Sequence, residues 1–486
     1  MHKIMILIKH LLLWFLLCVI LLWFQSPKLK LDKNANSWID QVDEIGTYYM
    51  RQEKIPGYQL TYFNQGEIIE TISKGVSSRT HKKRVDDHTV FHAQSMTKTM
   101  TAVMILKLVE ANQLSLDQSL ETILPEDFLK EIPSIYHDVT VRALLTHQSG
   151  MPTGDYNKMY ALYDNHIPSL SSSILMDLAD EERNNGFHYS NVGYHILEMI
   201  IEEKSQMTYS AYAKDVCFFL PSNAINFEQE DLIHMDVSFG YDLKHQEVAP
   251  YRYPELASGG LYTTSSHYAT FLIELLKHQM ISSDFVDLML NIEIQDIGYY
   301  NNVYHGYGLG LFINQHQNEK IISHGGQGRG YMAYYHVDPY EMSGFVILTN
   351  SQRSYPFFAE LTDAFNTYHD LELSGLYKIQ WVTIVLTYLS ALFIYIAARL
   401  VYLMTKIKTS KLSKFVTLNG ILSICLMIAV IILQNQSYNL LYAIAPHAYE
   451  QLLMIMFITA LFGTVFALAK QLIIMSKGGE RSACNT

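Results

Sequence analysis

Four long apolar runs constrain this chain more than anything else in it. They cover residues 4–24, 379–404, 415–434 and 452–475. Each holds about 20 residues, enough to cross a hydrocarbon core. Helices of soluble domains average roughly 12 residues, so runs of this length predict membrane spans rather than buried core helices. Helix is the expected form, because lipid offers no partner to open backbone N–H and C=O groups. The chain then divides into residues 1–33, an anchor or signal segment; 34–370, a domain that folds in water; and 371–486, a three-helix membrane region with a short cytoplasmic tail.

Charge sets the expected orientation. Lys406, Lys408, Lys411 and Lys414 lie between the second and third runs, and Lys470, Lys477 and Arg481 flank or follow the fourth. Residues 436–451, between the third and fourth, contain no Lys or Arg. Positive loops stay on the cytoplasmic side, which places the large domain outside the cytoplasm of a multi-pass plasma-membrane protein. Lys28, Lys30 and Lys33 oppose this at the first run, where the C-terminal pattern outweighs them. The first run also has the charged start of a signal peptide. It lacks a small-x-small cleavage site, since Trp23-Phe24-Gln25-Ser26-Pro27 follows, and an uncleaved anchor is expected.

Other classes fall away on composition. Net charge is −12, with no basic block outside the membrane flanks, so nucleic acid is not an expected partner. Of four cysteines only Cys217 lies in the large domain, so no internal disulfide can staple it. A domain of this size can rely on its core instead. No metal-ligand spacing such as His-Glu-x-x-His occurs, and neither metal nor cofactor is expected.

Periodicity within the domain predicts an α+β fold. Residues 58–76 alternate and break at Asn64-Gln65-Gly66, a hairpin signal. Helices are expected over 95–111, 140–147, 193–203 and 266–278, the first capped by Asn112. Short β-rich runs follow at 306–314, 319–324, 331–337 and 344–349. Strands at both ends with helices between them suggest one antiparallel sheet built from both termini.

Chemistry concentrates at Ser95-Met96-Thr97-Lys98. Residues three apart share a helix face, so the amine of Lys98 is placed near the hydroxyl of Ser95. A serine is a poor nucleophile until a base takes its proton. An ordinary lysine is neutral in only about one molecule in ~2,500 at pH 7, and lowering its pKa by two or three units costs about 3–4 kcal/mol. Desolvation among Phe91, Met96 and Met100 can supply that. A serine opening a helix is otherwise an N-cap. Two further constellations favour chemistry. Tyr189 and Asn191 set a phenol and an amide at the mouth of the next helix, able to relay a proton and orient a carbonyl. His324-Gly325-Gly326-Gln327-Gly328 follows an apparent strand, where glycines admit a substrate to the backbone. Capped and flexible turns are the plain alternatives for both.

Taken in order, Ser95-x-x-Lys98, Tyr189-x-Asn191 and His324-Gly325-Gly326 resemble the three active-site motifs of the serine β-lactamase and penicillin-binding-protein superfamily, most of all its class C-like members. Ile55-Pro56-Gly57, Leu144-Leu145-Thr146-His147-Gln148-Ser149-Gly150, Ser258-Gly259-Gly260-Leu261 and Gly306-Tyr307-Gly308-Leu309-Gly310 agree, over about residues 40–351. One N-terminal and three C-terminal membrane helices look like the FmtA-like (Flp-type) members. The resemblance implies a β-lactamase/transpeptidase-like domain and an acyl-enzyme mechanism. Ser95 would attack, Lys98 and Tyr189 would share the proton work, and Asn191, His324, Gly325, Gly326 and Gln327 would bind substrate. The oxyanion would rest on the N–H groups of Ser95 and Gln327. Where relatives often have Lys-Thr-Gly, this chain has His-Gly-Gly, which removes a fixed cation and argues against efficient β-lactam hydrolysis. The implied partner is a cell-envelope D-Ala peptide or ester. A generic esterase or weak β-lactamase comes next, then a wall-fragment or β-lactam sensor signalling through the bundle. Transport by the spans is weakly supported, since they hold little ionisable character.

Overall fold

The computed structural model describes residues 16, 38–155, 158–178, 183–316, 319–372, 375–406, 423–433 and 440–483. The chain separates into two compact units, residues 31–377 and residues 1–30 with 378–486.

The larger unit is built on an eight-stranded antiparallel sheet. The elements that position the site are α1 (Trp38–Gln52), β1 (Gly57–Asn64), β2 (Glu67–Ser78), α2 (Thr97–Glu110), α3 (Asn191–Ser205), α4 (Ser265–Leu276), β3 (Phe312–His316), β4 (Glu319–Gly328), β5 (Tyr331–Asp338), β6 (Ser343–Thr349) and α5 (Tyr355–Tyr368). Spatial order is β3-β4-β5-β6-β1-β2, with Gly306–Tyr307 beyond β3 and Lys83–Arg84 beyond β2. The N-terminal hairpin thus joins the C-terminal strands in one sheet through the β1–β6 pair, Tyr58 opposite Thr349 and Phe63 opposite Gly344.

Strand alternation divides the sheet's side chains between two faces. Trp38 of α1 and Phe365 of α5 meet Tyr62 and Phe345 on one face. Ala333, Tyr335, Val337, Val346 and Leu348 join the main core on the other. That core surrounds α2, whose residues from Thr97 to Leu106 are all buried. A helix apolar all round belongs inside a protein, so anything polar it carries is placed in the core.

Three points differ from expectation. The run at 306–314 is not one strand. It splits into Gly306–Tyr307 and β3 because Gly310, at φ +79°, turns the chain against α2, where a Cβ would meet Ala102 Cβ at 2.6 Å. The strand expected over 319–324 does not end there, and the turn that was the plain alternative for the glycines after His324 does not form. β4 continues through them to Gly328, paired with β5 as far as Tyr331. Glycine in a strand marks a close approach, and here it is to the Ala93-Gln94 backbone. The helix expected from Ser95 begins instead as a 3₁₀ turn, Gln94–Met96, before α2, and Asn112 follows it at φ +56°.

The smaller unit contains α6 (Lys378–Lys406) and α7 (Pro446–Ala483). Gly375–Ala398, which begins just before this unit, and Pro446–Ala469 are long and apolar enough to cross a membrane, each containing an 18-residue stretch of mean hydropathy 2.0 and 2.5 respectively. Leu386, Val430, Tyr449, Leu452 and Met456 pack together, while Phe462, Val465 and Leu468 are exposed. Of the third apolar run, Ser423–Leu433 is a short helix. The first run lies outside the described residues apart from Leu16, as does Cys484.

Candidate active site

The entry to α2 is shaped by Gln94. Its backbone is left-handed, φ +52°, uncommon for a non-glycine residue and found where the surroundings hold it. Its side chain is clasped: Nε2 donates to Tyr251 Oη (3.0 Å), and Tyr253 Oη donates to Oε1 (3.2 Å). The next residue is Ser95. Neither the 3₁₀ turn nor α2 has a side-chain N-cap, so the hydroxyl is not spent on a helix end.

It faces Lys98 instead. Nζ lies 3.1 Å from Ser95 Oγ and donates to Asn191 Oδ1 (2.7 Å) and the Ser258 carbonyl (2.7 Å). Lys98 is wholly buried. Burial pushes its amine well below the ordinary value, because the charged form loses its hydration and these three partners are neutral. The carbonyl and Oδ1 can only accept, and they take two N–H bonds. In the neutral amine the remaining position is the lone pair, aimed at the serine hydroxyl. Ser190 caps α3, accepting from Gly193 N–H (3.0 Å), which frees the neighbouring Asn191 to face the lysine. Glu198 on the same helix accepts from the N–H groups of Leu256 (2.6 Å) and Ala257 (2.8 Å) and so fixes the loop that delivers the Ser258 carbonyl.

Tyr189 stands beside the pair. Lys98 Nζ is 5.0 Å from its ring centroid, and the ring is held by His147 at 4.2 Å and Tyr300 at 5.9 Å. His147 Nδ1 accepts from Ser190 N–H (3.1 Å), so the neutral ring carries its proton on Nε2.

His324 does not line the pocket that holds Ser95. It is 1% exposed and packs on Phe312, Tyr307 and Tyr189. Its Nδ1 faces the Gly325 carbonyl (2.7 Å), so Nε2 accepts from Tyr307 Oη (3.2 Å). Burial, then the Lys98 charge, lowers its pKa to about 3, so it supplies no cation at neutral pH. Gly326 and Gly328 bring β4 onto the Ser95 turn. A Cβ would meet Ala93 O at 2.2 Å from the first and Gln94 Cδ at 2.4 Å from the second. Beyond Ser323, β4 has no strand partner on its β3 side among the described residues. Ser95, Asn191, Ser258 and Gln327 line one pocket, which also reaches His195 and Glu255.

Of the residues expected at the site, the structure brings Ser95, Lys98, Asn191, Tyr189 and Gln327 together. Sequence reasoning assigned no role to Gln94, His147, Glu198 or the Ser258 carbonyl. Thr146-His147 and Ser258-Gly259-Gly260 stood among the resembling motifs, the one signal available for two of them.

The antiparallel sheet, the buried central helix and the Ser-x-x-Lys pair at its start define a hydrolase of the serine β-lactamase and penicillin-binding-protein class. The chain belongs to the Beta-lactamase family, whose model matches residues 39–364. It is 34% identical over 164 residues to Penicillin-binding protein 4* of Bacillus subtilis (32% of this chain, 34% of that protein). It is 24% identical over 332 residues to Protein flp of Staphylococcus aureus strain MW2 (66% and 65%). The chain therefore spans about a third of the first relative and just under two thirds of the second. Among solved structures, the octameric penicillin-binding protein homologue from Pyrococcus abyssi superposes with a TM-score of 0.61 at 25% identity, over 71% of this chain and 81% of that one.

Proposed function

We propose that the chain is a membrane-anchored, extracytoplasmic serine hydrolase that acts on cell-envelope D-Ala peptides or esters through an acyl-enzyme. The observation that carries this is Lys98 Nζ, fully buried, 3.1 Å from Ser95 Oγ with its other two bonds made to acceptors. Neutral Lys98 takes the proton as Ser95 Oγ attacks the substrate carbonyl. The oxyanion of the tetrahedral intermediate rests on the Ser95 and Gln327 N–H groups. Tyr189 relays the proton to the leaving group, the C–N or C–O bond breaks, and water reverses the sequence to free Ser95. Asn191 orients the substrate amide. Gly325 and Gly326 keep the free β4 edge open to an extended substrate. His324 serves from behind, holding Tyr307 and Tyr189 in place.

The neutral histidine in place of a fixed cation favours esters and peptides over β-lactam antibiotics. Relatives named for penicillin binding fit the same chemistry. Residues 34–370 form the hydrolase domain; 1–33 and 371–486 supply one and three spans, in the orientation read from the lysines. The exposed apolar faces of α6 and α7 suit lipid. The test is covalent labelling of the full chain in membranes by a fluorescent penicillin or fluorophosphonate. Label should map to the Ser95 peptide and vanish in Ser95→Ala. Undiminished label in that variant would refute the proposal.

A further inference from the structure

The Ser95 pocket has a second wall that the acyl chemistry leaves unused. His195 and Glu255 line it, and with Asp177 they bring one donor atom each within 4.8 Å of one another. His195 and Glu255 are 5% and 3% exposed, and the Asp177 side chain 6%. Asp177 Oδ2, His195 Nδ1 and Glu255 Oε1 each lack a hydrogen-bond partner. Unpartnered buried polar atoms are costly and rare singly; three on side chains gathered this closely call for a common cause.

His195 Nε2 sits 2.9 Å from Ser258 Oγ. When Nε2–H donates there, Nδ1 turns a lone pair toward the two carboxylates, the pose of a metal-bound imidazole oriented by its outer nitrogen. Lys158 is the rival cation. Its Nζ bonds Asp177 Oδ1 at 2.8 Å and is 3.9 Å from Glu255 Oε1, and its remaining bonds go to Ser173 O (2.8 Å) and Oγ (3.1 Å). One ammonium cannot balance two carboxylates, and its short bond goes to Oδ1 of Asp177, leaving Oδ2 without a hydrogen-bond partner. Gly154, at φ +89°, lies over the other oxygen, where a Cβ would stand 3.6 Å from Oδ2.

We propose that Asp177, His195 and Glu255 are the protein ligands of one divalent transition-metal ion of the Zn²⁺ type. One imidazole and two carboxylates with an open fourth position form a familiar donor set for that ion. Tetrahedral coordination at about 2.1 Å needs donors roughly 3.4 Å apart. His195 Nδ1 and Glu255 Oε1 are already 3.8 Å apart, so small side-chain rotations close the site. An ion there would place a fixed positive charge in the pocket that holds Ser95, available to a carboxylate or other anionic group of the substrate. It would also tie to the nucleophile's partner, since Ser258 meets His195 through its hydroxyl and Lys98 through its carbonyl.

The test is equilibrium dialysis of the full chain, purified in detergent and stripped with chelator, against Zn²⁺ alone, with metal counted by mass spectrometry. About one tightly held equivalent is expected, and Co²⁺ in its place should give the visible absorption of a four-coordinate site. Glu255→Gln should weaken binding by more than roughly tenfold. If that variant fails to fold by circular dichroism, Asp177→Asn, which keeps an oxygen for Lys158, serves instead. Ser95→Ala should bind as the parent does, so the result is independent of the acyl-enzyme reading. No tight equivalent in the parent, or equal binding in the carboxamide variants, overturns the proposal.

Discussion

Gly326 and Gly325 are neighbours on β4, yet a methyl group should be ruinous at one and mild at the other. At Gly326 an added Cβ would lie 2.2 Å from the Ala93 carbonyl oxygen and 3.0 Å from Gln94 Cβ. Neither is the far end of a flexible side chain, and the Ala93–Gln94 backbone leads directly into Ser95. An ordinary C···O contact is about 3.2 Å, so β4 and the Ser95 turn must part by about 1 Å, a displacement that can cost ~10²-fold in rate when it misplaces reacting groups. Overpacking of this kind also destabilises by about 1–3 kcal/mol. At Gly325 the nearest atoms are Tyr334 Cδ2 at 3.8 Å and the Ala333 carbonyl at 3.9 Å, ordinary contacts. Gly325→Ala should therefore unfold within about 0.5 kcal/mol of the parent. The assay is the rate constant for labelling by a fluorophosphonate, whose small head needs no extended seat on β4, alongside the thermal midpoint. Gly326→Ala should label about a hundredfold more slowly and melt earlier. Parental labelling by Gly326→Ala, or equal losses in both variants, would refute the claim that β4 seats the nucleophile by direct backbone contact.

Three further outcomes are expected. Because burial holds the Lys98 amine well below the ordinary 10.5, acylation should rise with pH to a plateau whose midpoint lies far below that value. Lys98→Met should lose ~10²–10⁴-fold, and a midpoint near 10.5 would sink the neutral-base mechanism. Arg353 is fully buried and donates to the carbonyls of Glu53 (3.0 Å) and Leu243 (3.1 Å), with the Glu53 carboxylate 3.4 Å away. Arg353→Met should cost about 3–5 kcal/mol by stranding that carboxylate, with Glu53→Gln restoring part of the loss in thermal melts. His92 is wholly buried and its pKa is lowered to about 3. The unfolded chain then takes up a proton that the fold refuses, and stability should fall as pH drops from 6.5 toward 3, by at most about 1.4 kcal/mol per unit. His92→Phe should flatten the pH dependence of the thermal midpoint between pH 6 and 4, and an unchanged slope would contradict this.

What could be read from the chain alone depended on whether a contact is local. Ser95 and Lys98 were legible because three residues along a helix set their separation. The β1–β2 hairpin was legible because period-two alternation stops at Asn64-Gln65-Gly66, where Gln65 and Gly66 take φ +51° and +72°. Lys98's other partners were not. Ser258 contributes a backbone carbonyl, which any residue could provide, and Glu198 works by holding the loop that carries it. The same limit hid the Asp177–His195–Glu255 cluster, since its members come from α3, a short helix before it and a loop after it, with no shared spacing. His324 is a different case. Its motif position suggested contact with substrate, and Tyr189, Tyr307 and Phe312 pack around it; Tyr307 and Phe312 are paired strand neighbours, but Tyr189 comes from far along the chain. Glycine was ambiguous for a physical reason: it allows both a turn and a close backbone approach. The segment after His324 left both open, close approach first and a turn as the plain alternative, and β4 takes the close approach, to the Ala93–Gln94 backbone. At Gly326 and Gly328 the missing Cβ is what lets a sheet strand touch the turn before a buried helix. The most informative positions around Ser95 are therefore those where a side chain is absent.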